Sequence, residues 1–242
     1  MTRLSVNLNK IALLRNSRGG DSPSILEAAQ TVVDNGAHGI TVHPRPDARH
    51  IRYQDVRDLK AMLDVELNVE GNPTSEFLDL VCTVVPGQCT LVPDDPGQLT
   101  SDHGWDLEKD GEGLLPVIEG LRACGIRVSL FIDPAPGNTT LAKDVGADRV
   151  ELYTESYAKA FAQGSHQRTL QPYVEAAAAA QDAGLGVNAG HDLNQKNLGV
   201  FISAIPAVAE VSIGHALIGE ALYDGLANTV RSYVNILRET GT

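Results

Sequence analysis

The 242-residue sequence is poor in cysteine and in basic residues, and it contains no long hydrophobic run. Its three cysteines, Cys82, Cys89 and Cys124, are odd in number and lack the C-x-x-C spacing of a metal or redox motif. We expect them to be reduced, buried and inert. No apolar run approaches the roughly 18 residues that a membrane span needs, and the N-terminus begins with a strand pattern instead of a signal peptide. These absences predict a cytoplasmic protein with no membrane partner.

The charge balance excludes further classes of partner. Nineteen basic residues stand against 31 acidic ones, which gives a formal net charge of −12. Such a chain repels nucleic acid and anionic lipid, so neither is an expected partner, and an anionic metabolite would have to be held by a local cluster of cations. Hydrophobic residues make up 43% of the chain, which is enough for a sizeable core and excludes disorder.

A repeated pattern predicts the fold. Four segments carry a helix signal, then a glycine suited to the left-handed end of a helix, then a β-rich run; the glycines are Gly36, Gly125, Gly146 and Gly184. Further β-rich runs lie at residues 4–8, 65–69, 89–92 and 211–213. Helix patterns separate all eight runs, and no Pro/Gly/Ser-rich linker divides the chain. The sequence therefore predicts one (β/α)8 TIM barrel domain over residues 1–242.

The boundaries within this pattern are less regular. Residues 94–110 and 154–171 carry no clear helix or strand pattern, and we expect them to be the two longest loops. One helix is predicted from Pro172 to Ala183, with the proline in its first turn. The last helix is predicted to run without interruption from Gly219 to Arg238.

The predicted strands alternate apolar and polar residues. In residues 65–70, for example, the valines and leucine share one face, while Glu66, Asn68 and Glu70 share the other. An antiparallel sheet with one face in water would show the same alternation. The interleaved helices favour a barrel in which the polar faces point inwards. A polar lining near the C-terminal mouth of such a barrel is typical of an active site.

Candidate site residues lie at the ends of most predicted strands. They are Asn7, Asn9, Lys10, His43, Glu70, Asp133, Glu151, His191, Gly214 and His215. Histidines and carboxylates that converge on one barrel mouth can move protons, because burial and neighbouring charges tune their pKa values. Any one of them could equally be a hydrogen-bonded structural residue. Their joint placement predicts an active site.

Two regions suit anion binding. Arg45, Arg49 and His50 crowd the loop after the second strand, where guanidinium groups offer paired donors to phosphate or carboxylate. The alternative interpretation is a solvated basic loop paired with nearby acids. The segments 190–192 and 213–216 follow the last two strands, where barrels often bind phosphate on backbone N–H groups, and Arg18 is placed to supply a cation there. The sequence thus predicts two anion sites.

Other common sites are absent from the sequence or incomplete. Residues 184–190 resemble a dinucleotide fingerprint, but they precede a strand instead of following one. Neither a Walker A motif nor H-E-x-x-H occurs. A Schiff-base lysine is disfavoured because only Lys10 lies near a strand end. Ligand type alone leaves open a metal site built from His43, Glu70, His191 and His215.

Seven segments together resemble the pyridoxine 5′-phosphate synthase family, in matching order from the first strand to the last helix. They are Val6-Asn-Leu-Asn-Lys-Ile-Ala-Leu-Leu-Arg-Asn-Ser-Arg-Gly19, Gly39-Ile-Thr-Val-His-Pro-Arg45, Arg49-His-Ile51, Leu67-Asn-Val-Glu70, Ser129-Leu-Phe-Ile-Asp133, Val187-Asn-Ala-Gly-His191 and Ile213-Gly-His-Ala-Leu-Ile-Gly219. The resemblance implies a cofactor-free enzyme of vitamin B6 biosynthesis. Its substrates would be 3-amino-2-oxopropyl phosphate and 1-deoxy-D-xylulose 5-phosphate, and its products pyridoxine 5′-phosphate, phosphate and water.

The resemblance also implies roles for individual residues. His43 and Glu70 would be proton acceptors, His191 the proton donor, and Glu151 the residue that stabilises charge in the transition state. The amino-ketone phosphate would be held by Asn7, Arg18, Gly214 and His215. The deoxyxylulose phosphate would be held by Arg45, His50 and Thr100, with Asn9 and Lys10 beside them. Gly190 or the backbone at Asp192 would contact a phosphate.

Further expectations follow from the resemblance and from its departures. It implies an octamer built from dimers, and the loop around Thr100 is the expected lid. The family often has Asp-His at Asn9-Lys10 and glycine at Asp192, so we expect altered affinity more than lost activity. Two alternatives stay open: a metal-dependent sugar-phosphate epimerase or aldolase on the same fold, and a non-catalytic barrel that binds a phosphorylated metabolite.

Overall fold

The computed structural model describes residues 1–95, 97–98, 101–205 and 207–240, and within them eight parallel strands close into a barrel in chain order. The strands are β1 (Arg3–Asn7), β2 (Gly39–Val42), β3 (Glu66–Gly71), β4 (Gln88–Leu91), β5 (Arg127–Ile132), β6 (Arg149–Leu152), β7 (Gly186–Gly190) and β8 (Val208–Ile213). Each strand pairs with the next, and β8 pairs with β1 to close the ring. The predicted (β/α)8 barrel is confirmed.

Helices connect the strands and cover the outside of the barrel. The described residues contain α1 (Asn9–Asn16), α2 (Ile25–Asp34), α3 (Tyr53–Met62), α4 (Ser75–Val84), α5 (Leu107–Ala123), α6 (Pro136–Asp144), α7 (Glu155–Ala162), α8 (His166–Asp182), α9 (Leu198–Ala204), α10 (His215–Asp224) and α11 (Leu226–Thr240). None of these helices has the length and apolarity that crossing a membrane requires.

Capping groups and glycines mark the ends of the helices. The Ser24 side chain accepts a hydrogen bond from the Glu27 N–H at 3.2 Å, which satisfies a free donor at the start of α2. Gly36 and Gly184 follow α2 and α8 with φ of +98° and +73°, a region that favours glycine. The chain therefore turns back into the next strand within a few residues.

Several predicted boundaries are wrong. Helix α5 begins at Leu107, inside the segment 94–110 that was expected to be a loop. The segment 154–171 is not a loop, because α7 and the start of α8 occupy it, and Pro172 lies inside α8 instead of in its first turn. The segment is helical because Tyr157, four residues before Phe161, packs into the core against Phe201 at 5.2 Å between ring centroids. The last predicted helix is divided into α10 and α11 at Gly225, where φ is +79°.

The inside of the barrel is polar, as the alternation predicts. The hydroxyl groups of Ser5 on β1 and Thr41 on β2 are 2.7 Å apart. The Thr90 hydroxyl donates to Asn68 Oδ1 at 3.1 Å. Deeper in the barrel, the Asn188 amide donates to Gln88 Oε1 at 3.4 Å. Because these groups bind one another, burial leaves few of them without partners, and the apolar strand faces remain free to pack against the helices.

The cysteines only partly match the prediction. All three are free and Cys89 is buried, but Cys82 and Cys124 are partly exposed, so their predicted burial is wrong. Cys82 lies on α4 and its side chain interacts with that of Cys124 at the end of α5. Burial and this neighbour raise the pKa of the Cys82 thiol to about 11, which keeps it protonated and unreactive at neutral pH.

Candidate active site

A cavity of about 710 Å³ opens where the strands end. Most of the predicted site residues line it, namely Asn7, Asn9, Lys10, His43, Arg45, His50, Glu70, Glu151, His191, Asp192, Gly214 and His215. They come from both halves of the chain, and the closed ring of strands brings them together. Their convergence on one mouth is therefore a product of the barrel topology.

Three predicted residues lie elsewhere. Arg18 is exposed in the turn after α1, outside the cavity lining. Gly190 is buried and does not line the cavity. An added Cβ there would lie 2.2 Å from the Ser212 carbonyl oxygen, so only glycine fits. Asp133 is exposed and accepts a hydrogen bond from the Gly104 N–H at 3.3 Å. Thr100 lies outside the described residues.

His43 is held as a neutral base. Its backbone N–H donates to Asn9 Oδ1 at 2.9 Å, which ties the end of β2 to the start of α1. Burial lowers the pKa of His43 well below its ordinary value, and the positive charge of Arg45 lowers it further. The imidazole is therefore uncharged at neutral pH and able to accept a proton.

His50 lies beside His43, with the ring centroids 6.1 Å apart. Burial and the charges of Arg45 and Lys10 lower the pKa of His50 to about 4. Its Nδ1 accepts the Ile51 N–H at 2.9 Å, so the neutral ring carries its proton on Nε2. His50 is therefore a neutral hydrogen-bond donor, which suits a phosphate oxygen.

Two buried carboxyl groups share the floor of the cavity. The Asn7 amide donates to Glu70 Oε2 at 3.3 Å. Burial raises the pKa of Glu70 well above its ordinary value, and the nearby negative charge of Glu151 adds to the effect. Burial and Glu210 likewise raise the pKa of Glu151 to about 8, and its Oε2 has no hydrogen-bond partner among the described residues. With a pKa of about 8, Glu151 holds a proton at neutral pH that a reaction can use.

His191 has the opposite electrostatic setting from His43. Burial alone would lower its pKa, but the hydrogen bond to Asp192 and the charges of Asp192 and Glu151 outweigh burial, and the pKa is raised. The ring meets the edge of Tyr153 with centroids 5.5 Å apart. His191 therefore keeps its proton to higher pH than His43 does, and both histidines face the same cavity.

The turn that carries His191 is strained and supported. His191 has φ of +51°, which a residue other than glycine adopts only when its surroundings require it. The Thr154 hydroxyl donates to the Gly190 carbonyl oxygen and accepts from the Asp192 N–H at 3.3 Å. Thr154 was not among the predicted site residues, although a polar residue two positions after β6 was a signal that could have found it.

The basic loop proves to be partly paired with acids. Arg45 forms a buried ion pair with Asp94 and donates to the Gln98 carbonyl oxygen at 2.7 Å. Arg49 donates to Asp47 at 2.7 Å and to the same carbonyl at 2.9 Å. The alternative interpretation of this loop is therefore partly correct, since the arginines already have partners. Asp94 is a strand-end acid that the sequence analysis did not select.

The start of α10 lies where the second anion site was predicted. Gly214 precedes the helix, and a Cβ there would lie 3.0 Å from the Asn7 Cβ, so glycine allows the two segments to meet. His215 and Ala216 line the cavity at the first turn, where backbone N–H groups lack helical partners and favour an anion. This geometry matches the predicted anion site after β8.

Other cavity residues were missed. Lys159 of α7 lines the mouth and pairs with Glu155 at 2.8 Å. Val92 and Phe131 form an apolar part of the wall. No signal in the sequence could have placed Lys159, since its segment was expected to be a loop. Throughout the described residues, no group of three or more His, Cys, Asp or Glu side chains is arranged to hold a metal ion.

Comparison with solved structures shows the fold. A tryptophan synthase structure from M. tuberculosis matches 99% of this chain and 93% of that chain with a TM-score of 0.66. The sequences are only 12% identical, so this likeness concerns the barrel architecture alone. It says nothing about the chemistry of the cavity.

Comparison with curated proteins is far more specific. A protein of Christiangramia forsetii named pyridoxine 5′-phosphate synthase is 53% identical over 238 residues, which cover 98% of this chain and 100% of that protein. One of the same name from Xanthomonas oryzae pv. oryzae is 56% identical over 247 residues, covering 98% and 97%. Residues 4–239 match the family described as "Pyridoxal phosphate biosynthesis protein PdxJ". The chain belongs to the PdxJ family of pyridoxal phosphate biosynthesis proteins.

Proposed function

We propose that this protein is a pyridoxine 5′-phosphate synthase, which condenses 3-amino-2-oxopropyl phosphate with 1-deoxy-D-xylulose 5-phosphate. Full-length relatives that are more than half identical carry that name. The observation that carries the proposal is the pair His43 and His191, which open on one cavity while their pKa values are displaced in opposite directions. A base and an acid facing the same cavity are what a multi-step condensation requires.

The two anion sites support two phosphorylated substrates. The sugar phosphate suits Lys10, Arg45 and His50, which line the cavity together with Asn9. The family resemblance adds Thr100, which lies outside the described residues. The first turn of α10, with Gly214 and His215, suits the amino-ketone phosphate. Arg18 belongs to the second site only if the turn after α1 moves, or if another copy of the chain supplies it. Gly190 and Asp192 act by shaping the turn that carries His191.

The chemistry matches the protonation states. The amine attacks the ketone carbon of the deoxy sugar, and an imine forms as the hydroxyl group leaves as water, with His191 as the proposed proton donor. Removal of carbon-bound protons then needs a base, and neutral His43 suits this step. The phosphate of the sugar leaves by elimination, and ring closure releases a second water. Each of these steps is a proton transfer coupled to a bond that breaks or forms.

The carboxyl groups of Glu70 and Glu151 have separate proposed roles. Glu70 is proposed as the second proton acceptor, since its raised pKa makes its carboxylate a stronger base than an exposed one. Glu151 has a pKa of about 8 and an unpartnered Oε2, so a cationic amine or iminium beside it would displace its proton. The resulting ion pair would stabilise positive charge in the transition state.

The test is a reaction of the two substrates with purified protein. We expect release of inorganic phosphate together with a pyridine chromophore, and Glu70→Gln is expected to abolish both. Inactivation by EDTA with recovery on adding a divalent metal would instead identify a metal-dependent epimerase or aldolase. Binding of both phosphates without phosphate release would identify a non-catalytic barrel. Either result would overturn the proposal.

The loop from Asp94 to Gly104 is proposed as a lid. Its ends are anchored, since Asp94 pairs with Arg45 and the Trp105 N–H donates to the Phe131 carbonyl oxygen at 2.9 Å. Closure would exclude water from a reaction that releases it. Substrate should protect this loop from proteolysis, and an unchanged cleavage rate would remove the lid from the proposal.

Assembly and location complete the proposal. We infer a cytoplasmic homo-oligomer, an octamer built from dimers, from the family resemblance. Leu222 and Tyr223 of α10 support an interface, because their side chains are 74% and 89% exposed. Light scattering at low ionic strength measures the mass directly. A monomeric mass would contradict the proposed octamer and would leave the proposed catalytic function untested by this measurement.

A further inference from the structure

Three residues form an apolar cluster that is separate from the main core. Val92, Phe131 and Tyr153 are buried, with exposed fractions of 3%, 3% and 7%, and they pack against one another at the barrel mouth. The Phe131 and Tyr153 ring centroids are 5.3 Å apart. Val92 and Phe131 also line the cavity, so this cluster faces the substrates as well as its own neighbours.

The cluster lies directly beside the reacting groups. Phe131 is the register partner of Glu151 across β5 and β6, and the Tyr153 ring meets the His191 ring edge at 5.5 Å. Val92 stands two residues before Asp94, the partner of Arg45. The apolar wall of Val92 and Phe131 therefore extends from the proposed sugar-phosphate site to the acid, and Leu13, Ala158, Ala162 and Ala216 also line the cavity.

The proposed sugar substrate carries one apolar end. Its C1 is a methyl group, bonded to the ketone carbon that forms the imine, whereas an ordinary pentulose phosphate carries a hydroxymethyl group there. We propose that Val92 and Phe131 form the seat of this methyl group and select the 1-deoxy sugar over its C1-hydroxylated counterpart. This inference rests on the proposed function, since it concerns the substrate of the same site.

The physical basis is the difference between burying a methyl and burying a hydroxyl group. A methyl group against Val92 and Phe131 loses no hydrogen bond and gains the contacts of an apolar wall. A hydroxyl group in the same position leaves water, and neither side chain offers it a donor or an acceptor. Seating the methyl beside Phe131 also places the adjacent ketone carbon next to Glu151, where positive charge develops.

The test compares kcat/KM for 1-deoxy-D-xylulose 5-phosphate with kcat/KM for D-xylulose 5-phosphate. The native protein should prefer the deoxy sugar by on the order of 10²-fold, the scale on which an apolar pocket rejects an added hydroxyl. Val92→Thr keeps the shape of the side chain and adds a hydroxyl, and it should reduce this preference about tenfold. Phe131→Leu keeps the wall apolar and should retain most of the preference.

A matched control separates selectivity from folding. Val150→Thr makes the same change on β6, where the side chain is buried in the main core and does not line the cavity. It should leave the ratio of the two kcat/KM values unchanged, even if it lowers stability. An unchanged ratio in Val92→Thr, with normal turnover of the deoxy sugar, would overturn this inference alone. Failure of the native protein to turn over the deoxy sugar would overturn the proposed function and the inference together.

Discussion

His191 Nδ1 lies 2.7 Å from Asp192 Oδ2, and the two residues are neighbours in the chain. His191 has a positive φ of +51° in this turn. The pair raises the pKa of His191 against the effect of burial. The same barrel mouth keeps His43 neutral, so a single cavity holds an acid and a base.

Asp192→Asn should shift the pH dependence of the reaction. Removing the negative charge lowers the pKa of His191, so the ring loses its proton at lower pH. The alkaline limb of the kcat/KM profile should then move to lower pH. The plateau value of kcat/KM should change less than the position of this limb. Asp182→Asn, at the exposed end of α8, is the control. An alkaline limb at the same pH in both variants would show that Asp192 does not tune the acid.

His191→Asn tests the acid itself. The amide can still form a hydrogen bond but cannot deliver a proton, so kcat should fall by on the order of 10²-fold or more. Substrate affinity, measured by calorimetry with inorganic phosphate and with each substrate alone, should change much less. A rate near that of the native protein would remove His191 from its proposed role.

Glu151→Gln should stabilise the protein at alkaline pH. The pKa of Glu151 is about 8 in the folded protein against an ordinary value of 4.5, so the folded state holds more protons between these pH values. The free energy of unfolding that Glu151 contributes therefore falls as pH rises through this window. The neutral amide lacks this loss, and its Tm should exceed that of the native protein by several degrees at pH 8, since each kcal/mol moves Tm by about 2–4 °C.

The same comparison at pH 5 provides the contrast. There both side chains are uncharged when folded, so the difference in Tm between Glu151→Gln and the native protein should largely vanish. Glu112→Gln, on the exposed face of α5, should show equal differences at both pH values. A pH-independent difference in Glu151→Gln would contradict burial as the cause of its raised pKa.

Arg45→Ala should destabilise the protein as well as weaken sugar-phosphate binding. It leaves the Asp94 carboxylate buried without its partner, which costs about 3–5 kcal/mol and lowers Tm by roughly 6–20 °C. Adding Asp94→Asn removes the stranded charge, so the double variant should recover much of the Tm but not the affinity for the sugar phosphate. Equal Tm values for the single and double variants would show that the pair contributes little to stability.

Much of the architecture followed from local pattern. The alternation in residues 65–70 and the glycines after the helices predicted the strands and turns, because the side-chain period and the left-handed glycine are properties of the chain itself. The boundaries failed where tertiary packing decided the outcome. Residues 155–162 form a helix because Tyr157 finds aromatic partners on α8 and α9, which no local pattern reveals.

The sequence by itself determined which side chains stand at the strand ends, and a closed ring of parallel strands then brings most of them to one mouth. Only the tertiary structure decided their chemical state. His43 and His191 have the same ordinary pKa, yet burial and the charge of Arg45 lower the pKa of His43, whereas the hydrogen bond and charge of Asp192 raise that of His191 despite burial. The pairing of Arg45 with Asp94 and the apolar wall of Val92 and Phe131 arise in the same way. Desolvation and charge act through space, so they depend on neighbours that are far apart in the chain.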